Sequence, residues 1–299
     1  MMTYLLFALG FVFLLTGADL LVTGATDIAL KFRISDMVIG LTIVSFGTSL
    51  PEVIVCAVAS LNGHAELAIA NVFGSNIANV LLVLGVSAMI RALPVKDATV
   101  LSEIPFSLTA ALLVGFLANV TLFSTTTDLS ISRLDGAILL FFFALFMLYV
   151  YKVTKARGAP RKTEKTRPVP LPRSLLLVAF GMLGLYLGGQ WVVDGAIVIA
   201  RGWGLSESLI GLTVVAIGTS LPELMASAVA AYRGKTDIAV GNVVGSNIFN
   251  MLWVLAISSL ISELPFNLTS NTDLVMVIFT STLIIVAMAV GRKSVINRG

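Results

Sequence analysis

Long runs of apolar residues alternate with short polar segments along the whole chain. Nine runs are long enough to cross the ~30 Å hydrocarbon layer of a bilayer as helices, and they fall near residues 4–29, 37–61, 67–90, 104–123, 134–151, 174–200, 207–231, 238–261 and 272–291. The first lacks a basic leading segment and can itself span the membrane, which distinguishes it from a cleavable signal peptide. The pattern predicts an all-α integral membrane protein.

Two of these runs are interrupted by the same hexapeptide, Gly-Thr-Ser-Leu-Pro-Glu. It lies at 47–52 and returns 171 residues later at 218–223. A proline inside a helix cannot donate its backbone hydrogen bond to the preceding turn, so the helix kinks or breaks there. A carboxylate at membrane depth is costly and marks a candidate functional site. The motif therefore predicts that the second and seventh helices are discontinuous, each with an acid beside its break.

The hexapeptide belongs to a longer internal repeat. Residues 40–60 match 211–231 at 13 of 21 positions, and residues 68–80 match 239–251 at 8 of 13, at one offset without a gap. The copies lie in the second and seventh spans, so one copy begins on the cytoplasmic side and the other outside, which predicts two repeats of inverted topology, the usual build of a secondary transporter. We expect a first repeat at 1–152 with five helices, a basic linker at 153–173, and a second repeat at 174–299 with four. The tenth helix of a symmetric pair is absent, and the sequence does not decide whether the chain naturally has nine helices or has lost the last.

Composition and charge agree with this organisation. The chain is 58% hydrophobic and 12% charged, whereas a soluble domain has roughly 25% charged residues. With the N-terminus outside, 17 of the 19 Lys and Arg residues fall on the cytoplasmic side and only Arg133 and Arg201 outside. This asymmetry predicts a multi-pass protein of the cell membrane with a cytoplasmic loop at 153–173.

Polar side chains surround the two breaks. Thr48 and Ser49, with Thr219 and Ser220, add hydroxyls to the turn that carries each acid. One face of the third helix carries a polar stripe at a helical spacing of four, and the eighth helix repeats it; the two stripes are Asn71, Ser75 and Asn79, and Asn242, Ser246 and Asn250. Gly74 and Gly245 on these helices are expected to let neighbouring helices approach closely.

These ligands are all oxygens, which favours a hard cation such as Ca²⁺. The single cysteine, Cys56, and the single histidine, His64, argue against a disulfide, a thiolate metal site or a histidine zinc site. Glu52 and Glu223 together give a charge near −2, which one Ca²⁺ or two Na⁺ can balance. The alternative is that both acids only form hydrogen bonds between helices. Asp19, Asp27, Asp36, Glu66, Glu207 and Asp237 are expected to have structural roles, with Ser35 and Ser206 as helix caps.

GTSLPE followed by GSNIxN in both halves resembles the two alpha-repeats of the sodium/calcium exchangers, within the cation/calcium exchanger superfamily. The resemblance implies a ten-helix inverted-repeat fold, four central cation sites, and alternating access by sliding of the first and sixth helices. It implies Ca²⁺ ligands at Glu52 and Glu223 and at the carbonyls of Thr48 and Thr219. The implied Na⁺ ligands are Ser49, Ser75, Ser220, Ser246, Asn79 and the carbonyls of Ser45 and Ala216.

Asn250 stands where some relatives have Asp, so one negative charge is missing from the implied site. In this respect the chain resembles the potassium-independent exchangers.

These observations predict an electrogenic Na⁺/Ca²⁺ antiporter that extrudes one Ca²⁺ for three Na⁺. A Ca²⁺/H⁺ antiporter and a passive cation channel are the alternatives, and no nucleophile–base pair indicates an enzyme. We expect Ca²⁺, Na⁺ and the lipid bilayer as partners, no cofactor, no nucleic acid, and a monomer.

Overall fold

The computed structural model of the chain describes residues 2–94, 103–120, 129–156, 170–205, 216–290 and 295–296. The helices in these ranges are α1 (Met2–Phe32), α2 (Asp36–Ile39), α3 (Ser45–Thr48), α4 (Leu50–Leu61), α5 (Glu66–Ala78), α6 (Gly85–Ile90), α7 (Glu103–Asn119), α8 (Arg133–Ala156), α9 (Leu171–Gly202), α10 (Ala216–Thr219), α11 (Leu221–Tyr232), α12 (Thr236–Phe249), α13 (Leu255–Ile261) and α14 (Leu268–Val290). Three π-helical segments join them: π1 (Gly40–Val44), π2 (Asn79–Leu84) and π3 (Asn250–Val254).

Six of the described helical stretches are long and apolar enough to cross a membrane, or seven if the bent second span is included. A shorter apolar helix, α7, occupies the predicted span at 104–123. These elements confirm the predicted all-α membrane protein. The predicted seventh span is described only from residue 216 onward, because 206–215 lie outside the described residues, as does most of the 153–173 linker.

The first helices of the two halves, α1 and α9, pack tightly against each other. A Cβ added to Gly17 would lie 2.7 Å from the backbone nitrogen of Leu185, and one added to Gly188 would lie 2.7 Å from the carbonyl of Gly10. Only glycine permits such an approach. Because Gly10 contacts Gly188 and Gly24 contacts Ser174, the two helices run antiparallel, as the predicted inverted repeat requires.

The α12 helix lies at the centre of the molecule. It forms part of Thr236–Ile261, the most buried of the long apolar spans, in which 78% of the most apolar stretch is buried. It packs against α2 and π1, where Gly40 and Gly241 bring the two backbones together. This contact places the second half's polar stripe directly against the first half's broken helix.

Two short strand pairs connect the halves. The Leu-Pro of β1 (Leu93–Pro94) pairs with β4 (Val295–Ile296), and the Leu-Pro of β3 (Leu264–Pro265) pairs with β2 (Ser130–Ile131), both antiparallel. The two Leu-Pro strands are 171 residues apart and follow equivalent helices. Each pairs with a strand from the other half, so the ends of the third and eighth spans are both hydrogen-bonded to the opposite half.

Candidate cation site

Both GTSLPE motifs break their helix at serine. Ser49 separates α3 from α4, where the second span bends by 44°, and Ser220 separates α10 from α11. Pro51 and Pro222 then lie in the first turn of the new helix, where their missing N–H groups have no intrahelical role. Each break thus creates a helix N-terminus inside an apolar span.

Each motif acid lies in the first turn that follows its break. Glu52 begins α4 and Glu223 begins α11. The positive end of a helix dipole stabilises a negative charge at this position. Both side chains are enclosed by the protein, with exposed fractions of 0% and 1%. Among the described side chains, no Lys or Arg forms an ion pair with either acid.

Serine hydroxyls donate to both acids, and two of the serine contacts cross between the halves. Ser49 Oγ donates to Glu223 Oε1 at 2.9 Å, and Ser75 Oγ donates to Glu52 Oε1 at 3.1 Å. Ser75 Oγ also lies 2.9 Å from Ser220 Oγ. Each carboxylate therefore uses one oxygen to accept a serine hydrogen bond.

The first amide of each polar stripe braces the threonine of the opposite motif. Thr48 Oγ1 donates to Asn242 Oδ1 at 3.1 Å, and Asn242 Nδ2 donates to Ser227 Oγ at 2.9 Å. The same arrangement recurs with Thr219 Oγ1, which donates to Asn71 Oδ1 at 3.4 Å. These contacts hold the turn that carries each threonine carbonyl.

In the first half, the equivalent of Ser227 is Cys56. Asn71 Nδ2 donates to Cys56 Sγ at 3.4 Å. Cys56 thus anchors the amide that braces Thr219.

Four further amides meet where α5 and α12 continue into their π-helical segments. Asn79 Nδ2 donates to Asn247 Oδ1 at 3.0 Å, and Asn250 Nδ2 donates to Asn76 Oδ1 at 3.1 Å. Asn76 Nδ2 donates to the carbonyl of Asn247 at 3.2 Å, and Asn247 Nδ2 to that of Asn76 at 3.5 Å. The four side chains form a nearly symmetric ring in which every contact joins one half to the other.

Four buried oxygens from these residues have no hydrogen-bond partner. They are Glu52 Oε2, Glu223 Oε2, Asn79 Oδ1 and Asn250 Oδ1. A buried acceptor without a partner is costly, and a bound ion or water is one explanation for it. The four atoms come from two pairs of residues, and the members of each pair are 171 residues apart. The structure thus presents four unsatisfied oxygens, two of them from carboxylates, to the interior.

The remaining predicted ligands lie on the same elements. Ser246 Oγ is 3.5 Å from Thr48 Oγ1. The carbonyl of Ser45 accepts hydrogen bonds from Ser49 N at 2.9 Å and Thr48 Oγ1 at 3.3 Å. Ala216 begins α10, the short helix before the second break.

The sequence reading missed Asn76 and Asn247. Both belong to the duplicated GSNIxN segment, so the repeat itself was the signal that could have found them. Each follows the stripe serine by one residue, so it falls outside a stripe whose members are four residues apart. A Cβ added at Gly245 would lie 2.7 Å from Ser45 Oγ, as expected for a close approach. One added at Gly74 would meet no atom of the described residues within 4 Å, but the segment equivalent to the one that Gly245 contacts falls mostly at 206–215, outside them, so that expectation stays a prediction.

The acids that were expected to be structural lie in other contacts. Asp19 of α1 forms an ion pair with Arg233, and Asp36 of α2 lies 3.5 Å from Lys235. Ser35 caps α2, as predicted, by accepting from the backbone nitrogen of Val38. In the described ranges, no cluster of three or more His, Cys, Asp and Glu side chains forms a second candidate metal site.

Comparison with known proteins identifies the family. The sequence model described as "Sodium/calcium exchanger protein" matches residues 2–152 and 173–298. A relative from Alkalimonas amylolytica, named antiporter CaxA, is 38% identical over 97% of this chain and 91% of its own length. The sodium/calcium exchanger MaX1 of Methanosarcina acetivorans is 30% identical over 93% of this chain and 91% of its own.

A solved structure shows the same fold. The sodium-calcium exchanger NCX_Mj, soaked with 2.5 mM Na⁺ and 0.1 mM Ca²⁺, superimposes with a TM-score of 0.80 at 34% identity, covering 100% of this chain and 93% of that one. The fold, the duplicated acidic breaks and the extent of these matches place the chain in the sodium/calcium exchanger family.

Proposed function

We propose that this protein is an electrogenic Na⁺/Ca²⁺ antiporter that exchanges three Na⁺ for one Ca²⁺ and does not require K⁺. Membership of the exchanger family and the structural match support a cation/Ca²⁺ antiporter. The observation that carries the finer proposal is the set of four buried, unpartnered oxygens on Glu52, Glu223, Asn79 and Asn250. Hard cations such as Ca²⁺ and Na⁺ bind carboxylate and amide oxygens, whereas softer metals prefer sulfur or nitrogen ligands.

The charge of the site supports competition between the two ions. Two buried carboxylates without a basic partner among the described residues carry two negative charges once both are deprotonated to bind a cation. One Ca²⁺ balances them, and so do two Na⁺, while a third Na⁺ can use neutral hydroxyl oxygens. One Ca²⁺ and three Na⁺ would give the site unlike total charges, so the exchange of one set for the other moves one net charge across the membrane.

The ligand set we propose extends beyond those four residues. It comprises Glu52, Glu223, Thr48, Thr219, Ser49, Ser220, Ser75, Ser246, Asn79, Asn250, Ser45 and Ala216. The threonine, Ser45 and Ala216 contributions are backbone carbonyls near a helix break. The carbonyl of Ser45 now accepts from Ser49 N and Thr48 Oγ1, and it would exchange the hydroxyl contact for the ion. Serine hydroxyls that now bond to one another and to the acids would turn toward an incoming Na⁺.

We also propose the organisation that exchange requires. Residues 1–152 and 174–299 form two inverted repeats, joined by a cytoplasmic linker at 153–173 in a monomer of the cell membrane whose N-terminus is outside. The antiparallel packing of α1 against α9 supports this inversion. The division into two repeats is also supported by the site, because equivalent contacts are made by residues 171 positions apart.

Counter-ion replacement in proteoliposomes tests the proposal. Vesicles loaded with Na⁺ should take up ⁴⁵Ca²⁺ when diluted into Na⁺-free medium, and vesicles loaded with K⁺ or choline should not. A membrane potential imposed with valinomycin should change the initial rate in the direction expected for one net charge. Uptake that follows a pH gradient without Na⁺ would establish Ca²⁺/H⁺ exchange instead, and uptake that ignores the counter-ion would indicate a channel.

A further inference from the structure

The amide ring contains two asparagines that the proposed ligand set does not use. Asn76 and Asn247 are almost fully buried, and each contacts the opposite half twice. We infer that they are positioning residues, which fix the atom that Asn250 and Asn79 present to the ion. This inference rests on the proposed function, because it concerns the orientation of two of its ligands.

The orientation of Asn250 follows from a fixed backbone atom. The carbonyl of Asn247 can only accept, so the Asn76 atom that lies 3.2 Å from it must be the amide nitrogen. The other Asn76 atom is then the oxygen, which can only accept. Asn250 must therefore donate to it through Nδ2, at 3.1 Å. Its Oδ1 is left pointing elsewhere, and it is one of the unpartnered buried oxygens.

The opposite half repeats this logic. The carbonyl of Asn76 accepts from Asn247 Nδ2 at 3.5 Å, so Asn247 Oδ1 must accept from Asn79 Nδ2, at 3.0 Å. Asn79 Oδ1 is left as a second unpartnered oxygen. Each ligand is thus oriented by a side chain of the other half, Asn250 by Asn76 and Asn79 by Asn247.

Orientation matters because the two ends of an amide have similar shape and opposite chemistry. An amide oxygen attracts a cation, whereas the NH₂ group presents hydrogens and repels it. Asn250 without Asn76 would be free to turn its NH₂ toward the ion. The ring therefore keeps two neutral residues permanently in the form that binds cations.

A double-mutant cycle in proteoliposomes tests this role. Asn76→Ala should raise the KM for Ca²⁺ by about tenfold and leave the maximal rate within about twofold, since binding rather than turnover is weakened. Asn250→Ala should raise the KM by at least as much. The double variant should resemble Asn250→Ala alone, because there is then no amide left to orient.

The comparison cycle pairs Asn76→Ala with Asn79→Ala, whose side chains do not contact each other through the ring, and these effects should multiply. Multiplication in the Asn76–Asn250 cycle, or a lower maximal rate with unchanged KM in Asn76→Ala, would overturn the inference. An unchanged KM in Asn250→Ala would instead overturn the proposed ligand set. The mirror cycle of Asn247 with Asn79 is the second test if Asn76→Ala fails to fold. Asn119→Ala, which removes the amide pair with Asn271 between α7 and α14, should leave the KM unchanged.

Discussion

The two helices that carry the GSNIxN segments have nearly the same sequence but different surroundings. On α12, Gly245 lies against Ser45 of the broken helix, while a Cβ at Gly74, the equivalent point of α5, would meet no atom of the described residues within 4 Å. Asn242 is fully buried and Asn71 only partly. Among the described residues, the second-half stripe therefore makes the closer contacts with the break of the opposite half.

The hydroxyl contacts differ in the same way. Ser49 reaches Glu223 directly, whereas Ser220 reaches Glu52 only through Ser75. Identical residues thus adopt two hydrogen-bond patterns within one site. The surroundings of each break, rather than the motif itself, therefore decide which partner its serine takes.

Replacement of either acid should have the largest effect, and it should erase the difference between the halves. Glu52→Gln and Glu223→Gln should each lower Na⁺-dependent Ca²⁺ uptake by at least about 100-fold, because each removes half of the charge that holds Ca²⁺. Glu66→Gln, an exposed acid in the first turn of α5, is the control and should transport normally. Transport close to that of the parent protein in Glu223→Gln would remove the site assignment.

A large share of this arrangement could be predicted from the sequence. Apolar runs located α1, α9 and α14, and the duplicated proline and glutamate located both breaks. The π-helical turns at Asn79 and Asn250 could not be predicted, since hydrophobic periodicity does not distinguish a single wide turn from an α-helical one. Partners between halves, such as Asn76 with Asn250, depend on how α5 and α12 cross. A one-dimensional pattern carries no information about that crossing.

Addition of one methyl group should have different effects on α12 and on α5. Gly245→Ala places a Cβ 2.7 Å from Ser45 Oγ and 2.9 Å from the backbone of Leu41, so the helices must move apart. We expect exchange to fall about tenfold and the apparent unfolding temperature to drop, as overpacking of a core costs about 1–3 kcal/mol. Gly74→Ala meets no atom of the described residues within 4 Å and should keep full exchange, with equal or higher stability. Equal losses in the two variants would show that Gly74 also packs closely against the opposite half.

Loss of the bridging hydroxyl should have a smaller effect. Ser75→Ala removes contacts to both Glu52 and Ser220, whereas Ser246→Ala removes a 3.5 Å contact to Thr48 and a weaker interaction with Glu223. A hydrogen bond to a charged group contributes about 1.5–3 kcal/mol, so the KM for Ca²⁺ should rise at least about tenfold in Ser75→Ala and less in Ser246→Ala. A reversed order would mean that the second-half hydroxyl is the one that controls Ca²⁺ binding.

Replacement of the Cys56 sulfur by oxygen, or of the Ser227 oxygen by sulfur, should have the smallest effect. Asn71 donates to Cys56 Sγ at 3.4 Å, and its equivalent Asn242 donates to Ser227 Oγ at 2.9 Å. A thiol is a weak acceptor, so Cys56→Ser should stabilise by up to about 1 kcal/mol and Ser227→Cys should destabilise by a similar amount. The apparent unfolding temperature in detergent should move in opposite directions for the two variants. Ser60→Ala, which removes a buried hydroxyl without a partner, should not lower it. Shifts of the same sign would mean that side-chain volume, rather than the acceptor atom, determines the stability of this contact.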